Sequence, residues 1–293
     1  MTPGPAGHEL AATRRAVLSV ARLGLRPLPW RSTRDPWAVL VSEVMLQQTQ
    51  ATRVVAPYRA FLARFPRVSS CARAELGDVL VAWAGLGYNR RAAQLHRAAR
   101  AVVDRFGGRV PDDLQALVSL PGVGPYTARA VLAFAFDRQV GVVDVNVGRV
   151  LHRALSGRRL APGPTQVLAD ALVPAGRAWE WNQSVMELGA LWCTARGPRC
   201  ATCPLRVRCR WAAAGHRAPD PAARPARPAR FEGSDRQGRG RLLAALRLGP
   251  VRPSQVPAAC GWPDDPPRAR RIADGLVADG LSRRGRGGTL VLP

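Results

Sequence analysis

Four cysteines, Cys193, Cys200, Cys203 and Cys209, fall within one stretch at a spacing of C-x6-C-x2-C-x5-C. Thiolates this close suit one soft metal centre, either a tetrahedral zinc or an iron–sulfur cube. Arg196, Arg199, Arg206, Arg208 and Arg210 lie in and around the same stretch, so a metal-pinned loop there suits phosphate. Two carboxyls elsewhere have the chemistry to break a glycosidic bond, where one group protonates the leaving group and the other stabilises or traps the cationic sugar. Glu43 sits among Leu40, Val41, Val44, Met45 and Leu46. Packed there, its charged form is disfavoured, which is what a general acid near neutrality requires. On a polar face beside Gln47 it is an ordinary exposed glutamate. Asp144 follows the apolar run Val140–Val143 and precedes Asn146 and a helix carrying Arg149 and Arg153. Aspartate there is also a common helix N-cap. Nothing in the spacing shows that Glu43 and Asp144 meet.

A third motif is Leu120-Pro121-Gly122-Val123-Gly124, between two apolar-periodic helices. Gly122 and Gly124 allow a sharp turn and a close backbone approach to a ligand. The turn opens the helix of Tyr126, whose dipole favours an anion. This helix–hairpin–helix pattern grips a phosphate without reading sequence. Taken alone, the same residues also make a plain turn.

Positioning these groups takes a large helical body. Apolar residues recur at three and four spacing in Pro36–Gln50, Arg53–Phe65, Leu76–Ala84, Arg91–Phe106, Asp112–Val118, Tyr126–Phe136 and Val145–Leu155. Gly and Pro breaks separate them, and no alternating strand pattern persists, so the body is all-α. Residues 216–234, rich in Pro, Ala and Arg, read as a linker. Beyond it, Asp235–Leu248, Ser254–Cys260 and Pro266–Leu281 read as helices, and Gly285–Gly288 turns into the apolar Thr289–Leu292. Three helices and a hairpin resemble a winged helix, which either touches DNA or packs on a neighbour.

The chain of 293 residues suggests about two domains. It carries 44 basic against 20 acidic residues, a net charge of +24. Composition bias explains the choice of arginine but not the shortage of acids, and the balance calls for an acidic partner. No apolar run approaches the roughly 18 residues that span a bilayer, so nucleic acid fits better than a membrane. All 44 bases are arginine, which excludes a Schiff base on any side chain and leaves only the terminal amine. The start has no basic head followed by an apolar stretch, so no secretory signal is expected. Cys71 and Cys260, isolated in apolar surroundings, read as buried reduced thiols of a cytosolic protein.

The hairpin, the downstream Asp144 and the cysteine signature together resemble the endonuclease III superfamily of DNA glycosylases, over residues from about 9 to 215. Within it, Leu28-Pro29-Trp30-Arg31, Val41–Gln50, Gly85-Leu86-Gly87-Tyr88, and Asn182-Gln183 with Glu187-Leu188-Gly189 are similar to the MutY-type adenine glycosylases. The resemblance implies an all-α, two-lobed helix–hairpin–helix glycosylase domain (residues 1–215) with an iron–sulfur loop at 193–209. The linker (216–234) and a small winged-helix-like module (235–293) follow. It implies a [4Fe–4S] cluster on Cys193, Cys200, Cys203 and Cys209. The implied partner is double-stranded DNA containing mismatched adenine, met by a monomer in the bacterial cytoplasm.

The implied chemistry removes adenine opposite 8-oxoguanine or guanine after the base is flipped out of the duplex. Glu43 protonates N7, Asp144 stabilises the oxocarbenium ion, and Tyr126 and Asn146 assist. Tyr126 stands where the lyase branch has its Schiff-base lysine, which implies a monofunctional enzyme. Arg26, Trp30, Arg31, Leu46 and Gln183 line the base pocket, while Gln48 and Tyr88 wedge into the stack and Gly122 and Gly124 meet the backbone. The chain departs from the pattern in two places. Many relatives carry a larger, Nudix-related C-terminal domain, and Val145 stands where relatives often have glycine. The alternatives are a mismatch thymine or uracil glycosylase on the same scaffold, and a DNA-binding protein without catalysis.

Overall fold

The computed structural model describes residues 7–216, 220 and 230–293. Residues 217–219 and 221–229 of the expected linker lie outside the described residues. The helices are α1 (Gly7–Arg22), α2 (Pro36–Leu46), α3 (Ala51–Arg64), α4 (Val68–Arg73), α5 (Leu76–Ala82), α6 (Arg90–Phe106), α7 (Leu114–Val118) and α8 (Pro125–Ala135). There follow α9 (Val145–Val150), α10 (Pro162–Leu172), α11 (Ala178–Leu191), α12 (Arg210–Ala213), α13 (Asp235–Leu248), α14 (Val256–Cys260) and α15 (Pro266–Ala278). A two-stranded antiparallel hairpin, β1 (Arg283–Arg284) and β2 (Leu290–Val291), comes last. The all-α reading holds, and the helix–helix–helix–hairpin order of the last segment appears as its periodicity predicts.

These elements gather into two compact units. The first draws on Met1–Val39, Asp112–Gln115 and Gly124–Ala226; the second on Leu40–Pro111, Ala116–Val123 and Arg227–Pro293. In the first, α11 buries Trp181, Val185 and Leu188, at helical spacing, in a core with Val17, Leu18 and Val20 of α1 and Val147 and Val150 of α9. Each such side chain stabilises the fold by about 1.5–3 kcal/mol. The same helix also buries Asn182, Gln183 and Glu187. Buried polar groups are costly without partners, so this helix must find them. Asn182 does so by accepting from Val142 N at 2.8 Å and donating to Val140 O at 2.9 Å and Ala178 O at 2.8 Å. Those bonds fix the extended segment that leads to Asp144.

In the second unit, Phe61 of α3 and Trp83 pack edge to face, with centroids 5.9 Å apart. The last segment folds round Leu242, Leu243, Leu246, Ile272 and Leu276. Cys71 and Cys260 are buried free thiols, pushed up by that burial to about 12 and about 11. Several boundaries differ from the periodicity: α15 ends at Ala278, α7 begins at Leu114, and α9 gives way to a π-helical turn at Leu151. The helix expected over Pro36–Gln50 stops at Leu46, and Gln48 takes φ +55°. Apolar spacing continues through this turn, but the backbone does not.

Candidate active site

Asp144 caps α9. Its Oδ1 accepts from Asn146 N at 2.9 Å and Val147 N at 2.7 Å, and its Oδ2 accepts from Asn146 Nδ2 at 2.9 Å. Capping therefore accompanies any catalytic role here, and it fixes both carboxylate oxygens. Asn146 Oδ1 in turn accepts from Arg149 Nη2 at 2.8 Å. Arg149, buried, also donates to Gly189 O at 2.7 Å and to Cys193 O. A continuous hydrogen-bonded path thus joins Asp144 to the first residue of the cysteine loop. Gly189 permits it: a Cβ there would stand 2.8 Å from Asn146 Cβ and 2.9 Å from Asn146 O. Val145 beside Asp144 is 74% exposed, so its side chain costs the local packing nothing. Tyr126, partly buried, lies on the first turn of α8 in the same unit.

The polar face of α11 organises three more predicted residues around one that the sequence reading had only as part of a motif. Arg26 grips Glu187 with Nε at 2.7 Å and Nη2 at 3.0 Å. Arg31 Nη2 reaches the same carboxylate at 2.8 Å, and its Nε donates to Gln183 Oε1 at 2.8 Å. Glu187 is fully buried. Burial pushes its carboxyl up, but the Arg26 and Arg31 hydrogen bonds and charges outweigh that and hold it at about 2. Glu187 stood in the Glu187-Leu188-Gly189 motif, but its arginine partners lie 161 and 156 residues upstream and no local pattern marked the pairing. Trp30, on a short turn before α2, is buried.

The four cysteines ring a single cavity, with Val150, Ala154, Leu188, Trp192 and Leu205 among its lining. Among the described residues no three such groups converge on one point as ligands of a single ion. No cysteine is in a disulfide. Arg153 projects from a π-helical turn, Leu151–Ser156, and is 2% exposed. It donates to Thr194 O at 2.7 Å and approaches Cys193 Sγ at 3.6 Å. Burial pushes the Cys193 and Cys203 thiols up, the latter to about 11. Arg153 is itself paired with Asp220, so the fit to a thiolate-ligated cluster rests on four free thiols around one largely apolar cavity. Arg196, Arg199, Arg206, Arg208 and Arg210 are exposed around it.

In the second unit, Glu43 is 4% exposed, with Leu40, Val41, Val44 and Met45 equally buried beside it on α2. The exposed alternative is thereby set aside. Leu46, partly buried, closes the helix. Gln48 and Tyr88, at φ +55° and +46°, are two of the four described non-glycine residues in the left-handed region. Such conformations cost about 1–3 kcal/mol each and persist only when the surroundings impose them. Arg91 does the imposing. Its Nη1 donates to Val44 O and Met45 O at 2.9 Å and to Gln47 O at 2.6 Å. Its Nη2 reaches Thr49 Oγ1 at 3.2 Å and Leu86 O at 3.3 Å, and the guanidinium lies 5.4 Å from the Tyr88 ring centroid. One side chain therefore satisfies the last carbonyls of α2, which explains its stop at Leu46, and ties both turns together. Burial pulls its pKa down to about 10. No sequence motif had singled it out.

The hairpin divides the tasks expected of its two glycines. Gly122 has φ +76°, and a Cβ there would lie 2.6 Å from Gln94 Cβ. Gly124 has an ordinary φ of −88° and open space where a Cβ would point. The sharp turn thus falls on Gly122 alone, and Gly124 leaves the start of α8 uncovered. Glu43 and Asp144 fall in different units.

Residues 41–174 match the HhH-GPD superfamily of base excision DNA repair proteins. An adenine DNA glycosylase of Mycobacterium tuberculosis is 45% identical over 92% of this chain and 89% of its own length. That of Mus musculus is 41% identical, over 69% of this chain but 42% of its own length. The solved structure of a thermostable thymine-DNA glycosylase superposes with a TM-score of 0.66 at 32% identity, over 69% of this chain and 95% of that one. The helical fold and these similarities together define a DNA N-glycosylase of base excision repair, with DNA as its partner. Within that class the chain belongs to the adenine DNA glycosylase family. Among the described residues, no helix is long and apolar enough to cross a membrane.

Proposed function

We propose that this enzyme excises adenine paired with 8-oxoguanine or guanine, hydrolysing the N-glycosidic bond and leaving the strand intact. The observation that carries the reading is Glu43, a carboxyl buried on an apolar helix. That environment suits a proton donor, and a purine leaves readily once N7 is protonated. Asp144, its oxygens aimed by Asn146 and the start of α9, stabilises the oxocarbenium ion on the sugar. Tyr126 and Asn146 support that carboxylate. The Arg26–Arg31–Gln183 cluster, with Trp30, contacts the flipped base from the first unit, and Leu46 is assigned a base contact from the second. Gln48 and Tyr88 enter the stack beside the opposite base, and the opening of α8 meets a backbone phosphate. The absence of lysine leaves no side-chain amine for strand cleavage through a Schiff base.

Cys193, Cys200, Cys203 and Cys209 would hold a [4Fe–4S] cluster, which when bound cross-links the loop and keeps its exposed arginines facing DNA. The test is single-turnover base release from duplexes carrying A opposite 8-oxoguanine, A opposite G, T opposite G and U opposite G. Adenine leaving fastest supports the proposal. Thymine or uracil leaving fastest replaces it with the mismatch pyrimidine reading that the similarity to the thymine glycosylase structure favours. Binding without release of any base leaves a non-catalytic DNA-binding protein.

A further inference from the structure

The last segment, 235–293, belongs to the same unit as Leu40–Pro111; Pro293 O accepts from Gly77 N at 3.0 Å at the start of α5, and the side-chain contacts of α13 and Asp279 fall on either side of one turn. Arg247, on α13, donates from Nε to Leu80 O at 2.9 Å and from Nη2 to Asn89 Oδ1 at 2.7 Å. Asp279, just beyond α15, accepts from Arg90 and from Arg239 of its own segment. Leu80 lies before the Gly85–Tyr88 turn; Asn89 and Arg90 follow Tyr88 directly. The grip therefore closes on the turn from both sides. Tyr88 itself keeps a left-handed backbone while 49% exposed. Strain of this kind relaxes unless neighbours over-determine it; Arg91 holds the carbonyls of the turn and lies against the Tyr88 ring, and the last segment adds contacts on Leu80, Asn89 and Arg90. The neighbours of Arg247 on α13, Leu242, Leu243 and Leu246, are buried in their own core, so the guanidinium extends from a rigid base.

The geometry points to the C-terminal segment as a brace for the Tyr88 turn, with Arg247 and Asp279 as positioning residues that present Tyr88 to the base stack. This rests on the wedge role given to Tyr88 in the proposed function. The segment acts here through protein contacts rather than as a separate DNA-binding module. Its arginines divide accordingly: Arg239 and Arg247 face inward to partners, whereas Arg270, Arg271 and Arg283 are exposed.

The test is a double-mutant cycle in the full chain. Arg247→Ala, Asn89→Ala and Asp279→Asn are each made alone and with Tyr88→Ala. Two signals are read on a mismatched duplex: single-turnover adenine release, and fluorescence of a 2-aminopurine placed next to the opposite base, which rises when that base is unstacked. In the Tyr88 background each variant is expected to slow release about 10-fold, as misplacement remote from the chemistry does, and to blunt the fluorescence rise. In the Tyr88→Ala background the same changes are expected to move either signal less than about 2-fold. Asn89→Ala removes the Arg247 contact from the other partner, so it reports even where Arg247→Ala folds poorly. Equal losses in both backgrounds overturn the brace, as does an unchanged signal in the Tyr88 background. A salt-dependent loss of binding that ignores Tyr88 makes the segment a direct DNA contact instead. Were the wild type to release no adenine, the functional reading would fall, while the fluorescence cycle would still decide the brace.

Discussion

Two regions of this molecule hold functional groups still by opposite means. Around Asp144 the restraint is local. The carboxylate is fixed by amides two and three residues on and by the Asn146 side chain. An ordinary helix N-cap supplies the geometry, and the backbone there carries no strain. Around Gln48 and Tyr88 the restraint is remote. Both residues sit in a conformation that they would not choose, and one guanidinium, from Arg91, reaches the carbonyls that keep it. A group that stabilises charge needs a fixed distance, which a cap provides. A group that must enter a base stack needs a protruding turn, which strain and a distant anchor provide. The first region leans on α11 through Asn182 and Gly189 but has its carboxylate bonds within its own helix, while the second is vulnerable wherever its anchors lie.

The hardest blow to this division falls on Glu43, the acid of the proposed mechanism, which shares α2 with the end that Arg91 caps. Glu43→Gln is expected to lower single-turnover adenine release by at least about 10³-fold, within the range for loss of a general acid, while duplex affinity stays within about 2-fold. Near-normal release would remove Glu43 as the acid and leave α2 a purely positional element. Next comes Arg91→Ala, expected to cost about 10²-fold in release, since both turns lose their anchor together. The fluorescence of a 2-aminopurine beside the opposite base should fall in parallel. Release lost without that spectral change would mean that Arg91 serves the α2 end and not the wedge.

These residues also show what the sequence conveys. Helical periodicity, the hairpin glycines, the cysteine spacing and the two carboxyls are local patterns, and each maps onto a local feature. Glu43 was readable as a candidate for burial, because Leu40, Val41, Val44 and Met45 surround it within one helix, but the spacing left an exposed face beside Gln47 equally open and the structure decides for burial. Arg91 was not readable, because its partners lie more than forty residues upstream at Val44, Met45 and Gln47. The end of α2 escaped for the same reason: apolar spacing reports which face is buried, not where a distant cation takes over the carbonyls. In a chain with 44 arginines, position in sequence gives no means of separating the few that face inward from those that face solvent.

A smaller effect tests whether the Asp144 region is as self-contained as its cap suggests. Arg149 holds Asn146 and the carbonyl of Cys193. Arg149→Met is expected to slow release roughly 10-fold, with iron content measured alongside. Equal losses of iron and activity would trace the effect to the cysteine loop. Activity lost with iron retained would place it in the path to Asp144.

The mildest change separates electrostatic support from packing. Glu187 is held at about 2, below its ordinary 4.5, because Arg26 and Arg31 outweigh its burial. A carboxyl depressed on folding adds stability above its unfolded value and loses it as the pH falls towards its folded one. Arg26 is 44% exposed, so water screens part of the pairing. Glu187→Gln should therefore cost about 1–2 kcal/mol at pH 7, well under the unscreened value of the shift. That difference from wild type should hold steady down to about pH 5. Below the ordinary value of 4.5 it should shrink, closing towards pH 2. Denaturant midpoints taken across that range give the answer. A difference that stays constant below pH 4.5 would show that Glu187 acts by shape; the two arginines would then be held by packing and Gln183, and the pocket would not depend on the buried charge.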